Sequence, residues 1–484
     1  MNKKQTIIKG AIFLFLGKVS NLLVSALQIL LIPRLLGPKN MGVYSYWLSV
    51  YFIVAKILGL GGQHIIIRYT PELKIKNKYM IPTLIKKVVY MKFPLFIFII
   101  CLGFLFWTHE FSYFLIITVA ALLFSLNLAG ESILYSYNRM GPYALIPIIR
   151  LASRTILVIA LFYLLYTTGI ILGLFGAPVI ALLLTLFLSL RLLPRKNVAL
   201  DQPFKKYFSF GFWIYISAAI QGMIIWLITI LSKIHIKDMA VVGFFGVGVQ
   251  ICFSLIILIF FINESILPSL VEFHVTKNSK FKESLKLAWK YTNIFLFPLI
   301  LGGFVLTRPI VAFVIGKDYL AGTLIIKLFF PTIIFFSWIR FHSQILFVYD
   351  KKIKIFLTQI INLFVFLGSW FYFIKMKEIN LAPLSLCLGG ITAYFFILIQ
   401  SYKIEKVKSY AGNFLKPLAA ASIMALIVNF FTIHSIFQLL FVVLLGLLIY
   451  GFLLLLLRGI GKDDLKILKE FLGSVKIFRG EIDI

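Results

Sequence analysis

Lys18, Lys56, Arg150, Arg154, Arg308, Lys327 and Arg340 fall inside long apolar runs that carry almost no other charge. A Lys or Arg at the centre of a membrane-spanning helix costs roughly 2.5–3.5 kcal/mol. Each such group needs water, a counter-charge or a ligand of opposite sign. Together they outline a watery, positively charged cavity, and a cavity of that sign suits an anionic cargo. Some fall in helical register. Lys18, Asn21, Ser25 and Gln28 share one stripe of a helix. Ser45, Ser49, Lys56 and Gln63 repeat the pattern less fully in the next helix. Arg150 and Arg154 stand one turn apart on a single face, where two guanidiniums can grip a phosphate or diphosphate through forked, charge-assisted bonds. Glu131, near the end of the preceding helix, offers the alternative of a structural ion pair.

Further candidates are more ordinary. Lys327 and the pair Arg340 and His342 lie toward opposite ends of one helix, with Pro331 between them as an expected kink. His64 and Glu264 lie near helix ends, where either carries a proton or holds structure. Arg308 precedes Pro309 after a full-length span and belongs at the membrane boundary. Ser217 with Gln221, and Gln250 with Ser254, are one turn apart and suit hydrogen bonding between helices. No phosphate-binding loop, H-E-x-x-H motif or close histidine pair occurs, so neither a cofactor nor a metal is expected. Cys101, Cys252 and Cys387 form no C-x-x-C pair and read as small apolar residues of buried segments. The chemistry on offer is binding, not catalysis.

The elements that must position these residues follow from composition. The chain is 61% hydrophobic and 13% charged, with mean hydropathy +1.01, which marks an all-α polytopic membrane protein. Apolar runs place fourteen helices at about 10–33, 42–66, 91–107, 111–136, 143–166, 168–190, 207–232, 241–268, 291–306, 321–347, 355–374, 382–400, 414–433 and 436–457. The first is a retained helix, not a cleavable signal. With both termini on the cytoplasmic side, the outer face receives only Arg34, Lys39, Lys233, Lys237, Lys317, Lys375 and Lys377. The net charge of +31 is therefore a positive-inside bias near anionic membrane lipids, not a nucleic-acid footprint. The longer loops, including 67–90 with Lys74, Lys76, Lys78, Lys86 and Lys87, are cytoplasmic.

A weak repeat recurs at an offset of 200 residues, setting Asn21 opposite Gln221 and Glu72 opposite Glu272. Both halves start inside, so the repeats are parallel. The expected organisation is an N-terminal lobe over 1–200, a C-terminal lobe over 201–410, two extra helices over 411–457, and an amphipathic cytoplasmic tail over 458–484.

The most specific string is RLLGPKNMGVY at Arg34–Tyr44. Gly37 and Pro38 make a turn there, and Gly42 lets the second helix start tightly packed. This outer turn resembles that of the polysaccharide-export flippases of the multidrug/oligosaccharidyl-lipid/polysaccharide (MOP) superfamily. The Ile315–Ala321 stretch is similar to a second, weaker pattern of that family. The resemblance implies two lobes forming a V around a central cationic cavity, with alternating access. It implies a polyprenyl-diphosphate-linked oligosaccharide moved across a bacterial cytoplasmic membrane, with a counter-ion or proton as a candidate coupling partner. It also places glycan polymerases and glycosyltransferases of the same pathway as neighbours. The alternatives are a multidrug or small-solute antiporter and a membrane enzyme of the glycan pathway. Multidrug antiporters depend on acidic residues in their lobes, whereas the first helix here carries Lys18 and no acid.

Overall fold

The computed structural model describes residues 3–276, 280–404, 411–461 and Asp464. Every regular element among them is helical. The α-helices are α1 (Lys3–Gly59), α2 (Gly62–Lys76), α3 (Ile81–Tyr90), α4 (Lys92–Phe106), α5 (Phe111–Ser136), α6 (Met140–Leu190), α7 (Phe204–His235) and α8 (Met239–Val275). They continue with α9 (Lys280–Val305), α10 (Thr307–Ile310), α11 (Thr323–Lys327), α12 (Phe330–Val348), α13 (Lys352–Lys375), α14 (Leu384–Tyr402), α15 (Ala411–Asn429) and α16 (Ile436–Leu456). Among the described residues ten helices are long and apolar enough to cross a membrane, or eleven when the bent pair Lys317–Lys327 and Phe330–Val348 counts as one span. The protein is a multi-pass membrane protein.

The longest helices are folded back on themselves. A straight helix of 57 residues would measure about 85 Å, far beyond a hydrocarbon core of about 30 Å. Gly37 breaks α1 at φ 71°, a left-handed conformation that glycine adopts without strain, and Pro38 opens the second arm. Tyr166 breaks α6 at φ 50°, ψ −127°. Beyond that break the arms of α6 touch backbone to backbone, and a Cβ on Gly169 would lie 1.9 Å from the Leu161 carbonyl oxygen. Pro331 sits in the first turn of α12, where no intrahelical N–H bond is lost, and the chain bends by 46° just before it. The kink expected inside one helix is thus a junction between two.

Helices α1, α5 and α6 pack together, flanked by α2, α3 and α4, while α7, α8, α12, α13 and α14 form the other set of neighbours. Helix α15 packs on α9 and α16, and Tyr450 of α16 donates to the Ile294 carbonyl at 2.7 Å. Along the first arm of α1 one stripe, with Leu16, Leu23, Leu27 and Leu31, is exposed, as an apolar lipid-facing surface should be. Cys101 likewise lies exposed on α4, unlike the buried Cys252 and Cys387; the expectation of a buried residue fails there because that face of α4 has no neighbour. The amphipathic tail expected beyond Gly461 lies outside the described residues except for Asp464, which accepts hydrogen bonds from Lys290 and Tyr291 of α9.

The second arm of α1 meets the other half of the chain at both of its ends. At the Gly37 end, a Cβ on Gly42 would stand 2.0 Å from the Met239 carbonyl oxygen, and one on Gly243 2.1 Å from that of Pro38. Tyr319 donates to the Pro33 carbonyl at 3.0 Å, and Arg34 donates to that of Phe313. At the opposite end, Tyr215 of α7 donates to the Lys56 carbonyl, and Gly61, at φ 75°, lies against the backbone of Gly211. Substitution of Gly42 by Leu must therefore separate α1 from α8. We expect a loss of about 1–3 kcal/mol, read as a lowered thermal midpoint in detergent; an unchanged midpoint would show that the two backbones are not in contact.

Candidate functional site

The two arms of α1, the first arm of α6, and α7 and α8 enclose a cavity of about 570 Å³. Its wall collects much of what the sequence marked: Lys18, Asn21, Ser25 and Gln28 of α1, Arg150 and Arg154 of α6, and Gln250 and Ser254 of α8. Among the described residues the lining holds three basic side chains and no carboxylate. Lys18 is exposed at the wall, Asn21 and Ser25 are half-buried, and Gln28 is buried. The stripe at helical spacing thus faces the cavity while the leucine stripe faces outward.

The two arginines, though on one helix face, have separate partners. Arg150 donates through Nη1 to Asn127 Oδ1 and Glu131 Oε1 of α5, with its guanidinium 4.7 Å from the Phe124 ring centre. Asn127 in turn donates to the Ala181 carbonyl at 3.2 Å and to Thr185, so one buried network locks α5 to both arms of α6. The alternative left open by the sequence resolves into an ion pair for Arg150. Arg154 instead donates through Nη2 to Gln28 Oε1 at 2.9 Å, and Gln28 Nε2 donates to the Tyr44 hydroxyl at 2.6 Å. Its guanidinium lies 5.7 Å from the Phe52 ring centre, and its Nε is buried without a hydrogen-bond partner. An arginine held by an amide and an aromatic face keeps its full charge and spare donor capacity.

The rest of the wall is aliphatic and aromatic. Phe52 stacks on Trp226 of α7 at 4.6 Å with an interplanar angle of 27°, and Phe253 of α8 closes on both. Gln250 leaves its buried Nε2 unpartnered among them. Cations, amides and flat aromatic faces together suit a ligand with an anionic group and a polar, ring-shaped body.

A family model described as "Polysaccharide biosynthesis protein" matches residues 7–274, more than half of the chain. The chain belongs to the polysaccharide biosynthesis protein family. Among solved structures, the fold is similar to lipid II flippase MurJ in an inward closed conformation, with TM-score 0.70 and 17% identity, covering 94% of this chain and 99% of that one. It is also similar to an inward-facing multidrug resistance MATE transporter of the MOP superfamily, with TM-score 0.63 and 14% identity over 82% of this chain and 96% of that one. A Vibrio cholerae MATE transporter matches with TM-score 0.59 and 12% identity over 84% and 99%. No curated protein sequence matches this chain. The fold is thus the MOP-superfamily fold that the Arg34–Tyr44 turn resembles.

This member of the polysaccharide biosynthesis family leaves several sequence candidates off the cavity wall. Lys56 is half-buried beside Gly222 of α7, where a Cβ would stand 3.4 Å from its Cε. Arg340 lies behind the wall, its guanidinium 5.3 Å from the ring centre of the lining residue Phe260. Lys327 sits over the Phe304 ring at 4.3 Å, and His64 lies 6.2 Å from the Tyr215 ring. The side chain of Glu264 lies outside the described residues. Arg308 is exposed, as a boundary residue should be.

Sequence reasoning missed two kinds of group. Lys92, at the start of α4, is only 2% exposed and donates to the Ser125 carbonyl at 3.1 Å and to the Ser125 hydroxyl. A lysine at a helix start ordinarily snorkels, and no local signal distinguishes this one. The aromatics Phe52 and Trp226 were equally silent in a chain that is 16% aromatic, and Tyr44 was marked only as the end of the outer-turn string.

The two arginines should respond differently to truncation. Arg150→Ala leaves the buried Glu131 carboxylate unpaired and should cost about 3–5 kcal/mol. Arg154→Ala strands no opposite charge and should cost about 1–3 kcal/mol, the loss of one hydrogen bond to a charged donor. Denaturation midpoints of the two purified variants measure this, and equal losses would refute the division of labour.

Proposed function

We propose that this protein is a flippase, moving a polyprenyl-diphosphate-linked oligosaccharide from the cytoplasmic to the outer leaflet for surface polysaccharide assembly. The single observation that carries the reading is a cavity lined by Lys18, Arg150 and Arg154 with no described carboxylate, in a chain of the polysaccharide biosynthesis family. A diphosphate in hydrocarbon is strongly disfavoured, and it crosses only where protein replaces its hydration. Arg154, with its buried spare donor, and Lys18, at the exposed wall, supply that replacement. Arg150 contributes field, while Asn21, Ser25, Gln28, Gln250 and the aromatic wall meet the sugars. The prenyl tail stays in lipid. No bond is made or broken, so the protein acts as a transporter and not as an enzyme.

The same reading assigns fourteen crossings. Each of the two long helices broken at Gly37 and Tyr166 crosses twice, the bent pair before Val348 crosses once, and the shorter apolar helix Asn413–Asn429 adds the last. Both termini then lie in the cytoplasm of a bacterial cell, and the basic loops follow the positive-inside rule. Parallel six-helix lobes, split near residue 200, rock about the cavity. The contacts of α1 with Met239 and Gly243 at one end, and with Gly211 and Tyr215 at the other, are the surfaces that must separate in turn. Lys56 and Arg340, behind the wall here, would reach the cargo in another conformation. A counter-ion, a proton or the membrane potential supplies the drive, and the pathway's glycosyltransferases and polymerase are its functional neighbours.

A deletion strain should lose its surface glycan and accumulate polyprenyl-diphosphate sugars with headgroups on the cytoplasmic leaflet. Complementation with Arg154→Ala, expressed at the wild-type level, should restore at most about a tenth of the glycan, the effect of losing one charged hydrogen-bond donor. Normal glycan with altered drug tolerance in the deletion strain would assign the protein instead to small-solute antiport.

A further inference from the structure

A second cationic concavity lies outside the transport cavity. It has a volume of about 440 Å³ and is lined by Lys74, Lys78, Arg195 and Lys196, with the phenol rings of Tyr79 and Tyr137. Its floor joins the end of α2, the end of α5 and the segment that leads from α6 to α7. Among the described residues no carboxylate lines it. The nearby acids are engaged elsewhere, Glu72 with Lys76 at 2.8 Å and Asp201 with the Tyr207 hydroxyl at 2.5 Å.

The pocket is built, not a chance meeting of loop lysines. Lys74 is half-buried, donates to the Ser136 carbonyl at 2.6 Å and stands 3.5 Å from the Tyr137 ring centre. Burial holds its ammonium below the ordinary lysine range, which a bound anion would reverse. Asn77 caps the turn that carries Lys78 and Tyr79, accepting from the Tyr79 backbone N–H at 3.0 Å. The connecting segment is pinned across it, since Val198 N–H donates to the Tyr79 carbonyl at 2.9 Å and Thr83 donates to the Val198 carbonyl at 2.7 Å. Arg191 is drawn aside onto the Phe187 ring, leaving Arg195 and Lys196 at the wall. The held ammonium of Lys74 and the exposed charges of Lys78, Arg195 and Lys196 repel one another, and an anion placed among them removes that repulsion.

We infer that this pocket is a binding site for a phosphate-bearing anion, distinct from the transported cargo. Phosphate suits it because several lysine ammoniums and one arginine fork can share its oxygens while the tyrosine hydroxyls donate. Two sources present that chemistry on the basic face of the bundle: the headgroup of an anionic phospholipid and a soluble phosphorylated molecule. Because the pocket wall is the connection between the two halves of the chain, an occupant there ties Tyr79 and Tyr137 of the first half to the linker.

The test uses the full chain purified in detergent, with phosphatidylglycerol binding read by native mass spectrometry and inorganic pyrophosphate binding read by calorimetry. The variant Lys78→Gln/Arg195→Gln/Lys196→Gln removes exposed charges and spares Lys74, which holds the fold. It should weaken at least one of the two ligands by about tenfold or more. Loss in the phosphatidylglycerol arm alone identifies a lipid headgroup, and loss in the pyrophosphate arm alone identifies a soluble phosphate. Lys78→Arg/Lys196→Arg should bind as the wild type does. Arg154→Gln, in the transport cavity, should leave phosphatidylglycerol binding unchanged and remove only the pyrophosphate held in that cavity, even where it abolishes glycan export. Equal binding of both ligands by the wild type and the triple variant would overturn the site, as would a triple variant whose losses vanish in the Arg154→Gln background.

Discussion

A guanidinium kept from bulk water inside an apolar bundle has to be solvated by protein, and the rest of the structure is arranged around that demand. Arg154 of α6 is held by Gln28 on the first arm of α1, and Gln28 is held by Tyr44 on the second arm. One short chain of hydrogen bonds therefore fixes three segments relative to each other. Arg150, one turn away, does the same for α5 and both arms of α6 through Asn127, Glu131 and Thr185. Between two apolar helices in lipid there is little hydrophobic drive, so polar contacts and close packing decide which helices are neighbours.

The split between these arginines gives the cavity its character. Arg150 is matched by a carboxylate and serves mainly as structure. Arg154 is matched only by neutral groups, so the cavity keeps a charge that a ligand can meet. A shared fold does not by itself name the cargo.

Close backbone approach supplies the second constraint. Glycine at 42 and 243 lets α1 meet α8 at one end, and glycine at 61 and 211 lets the chain cross α7 at the other. These close approaches flank an extensive α1–α8 contact, in which Leu48 and Tyr51 share one hydrophobic core with Trp226, Phe245 and Val249.

Much of this was legible in the chain. Most helix ends expected from apolar runs fall close to the observed ones, including the breaks near Gly37 and Tyr166, because a run longer than the bilayer has to turn. The expected 42–66 helix instead stops at Gly59. Helix α9 starts at Lys280, and α2 and α3 occupy most of the expected 67–90 loop, because those segments are too polar to register as apolar runs. The Lys18–Gln28 stripe was visible because helical periodicity puts those residues on one face whatever surrounds them. Spacing alone placed Arg150 and Arg154 together; it could not say that Glu131 takes one and Gln28 the other, since both partners come from different helices. Nor could it show that Lys92 is buried while Lys18 is exposed, or that Lys56 and Arg340 stand off the wall. What the sequence determined is the membrane class, the helices and the faces they present, because these depend on neighbours within a turn or two. What tertiary structure decided is which charges are neutralised and which stay available, because that depends on groups far apart in the chain meeting at hydrogen-bond distance.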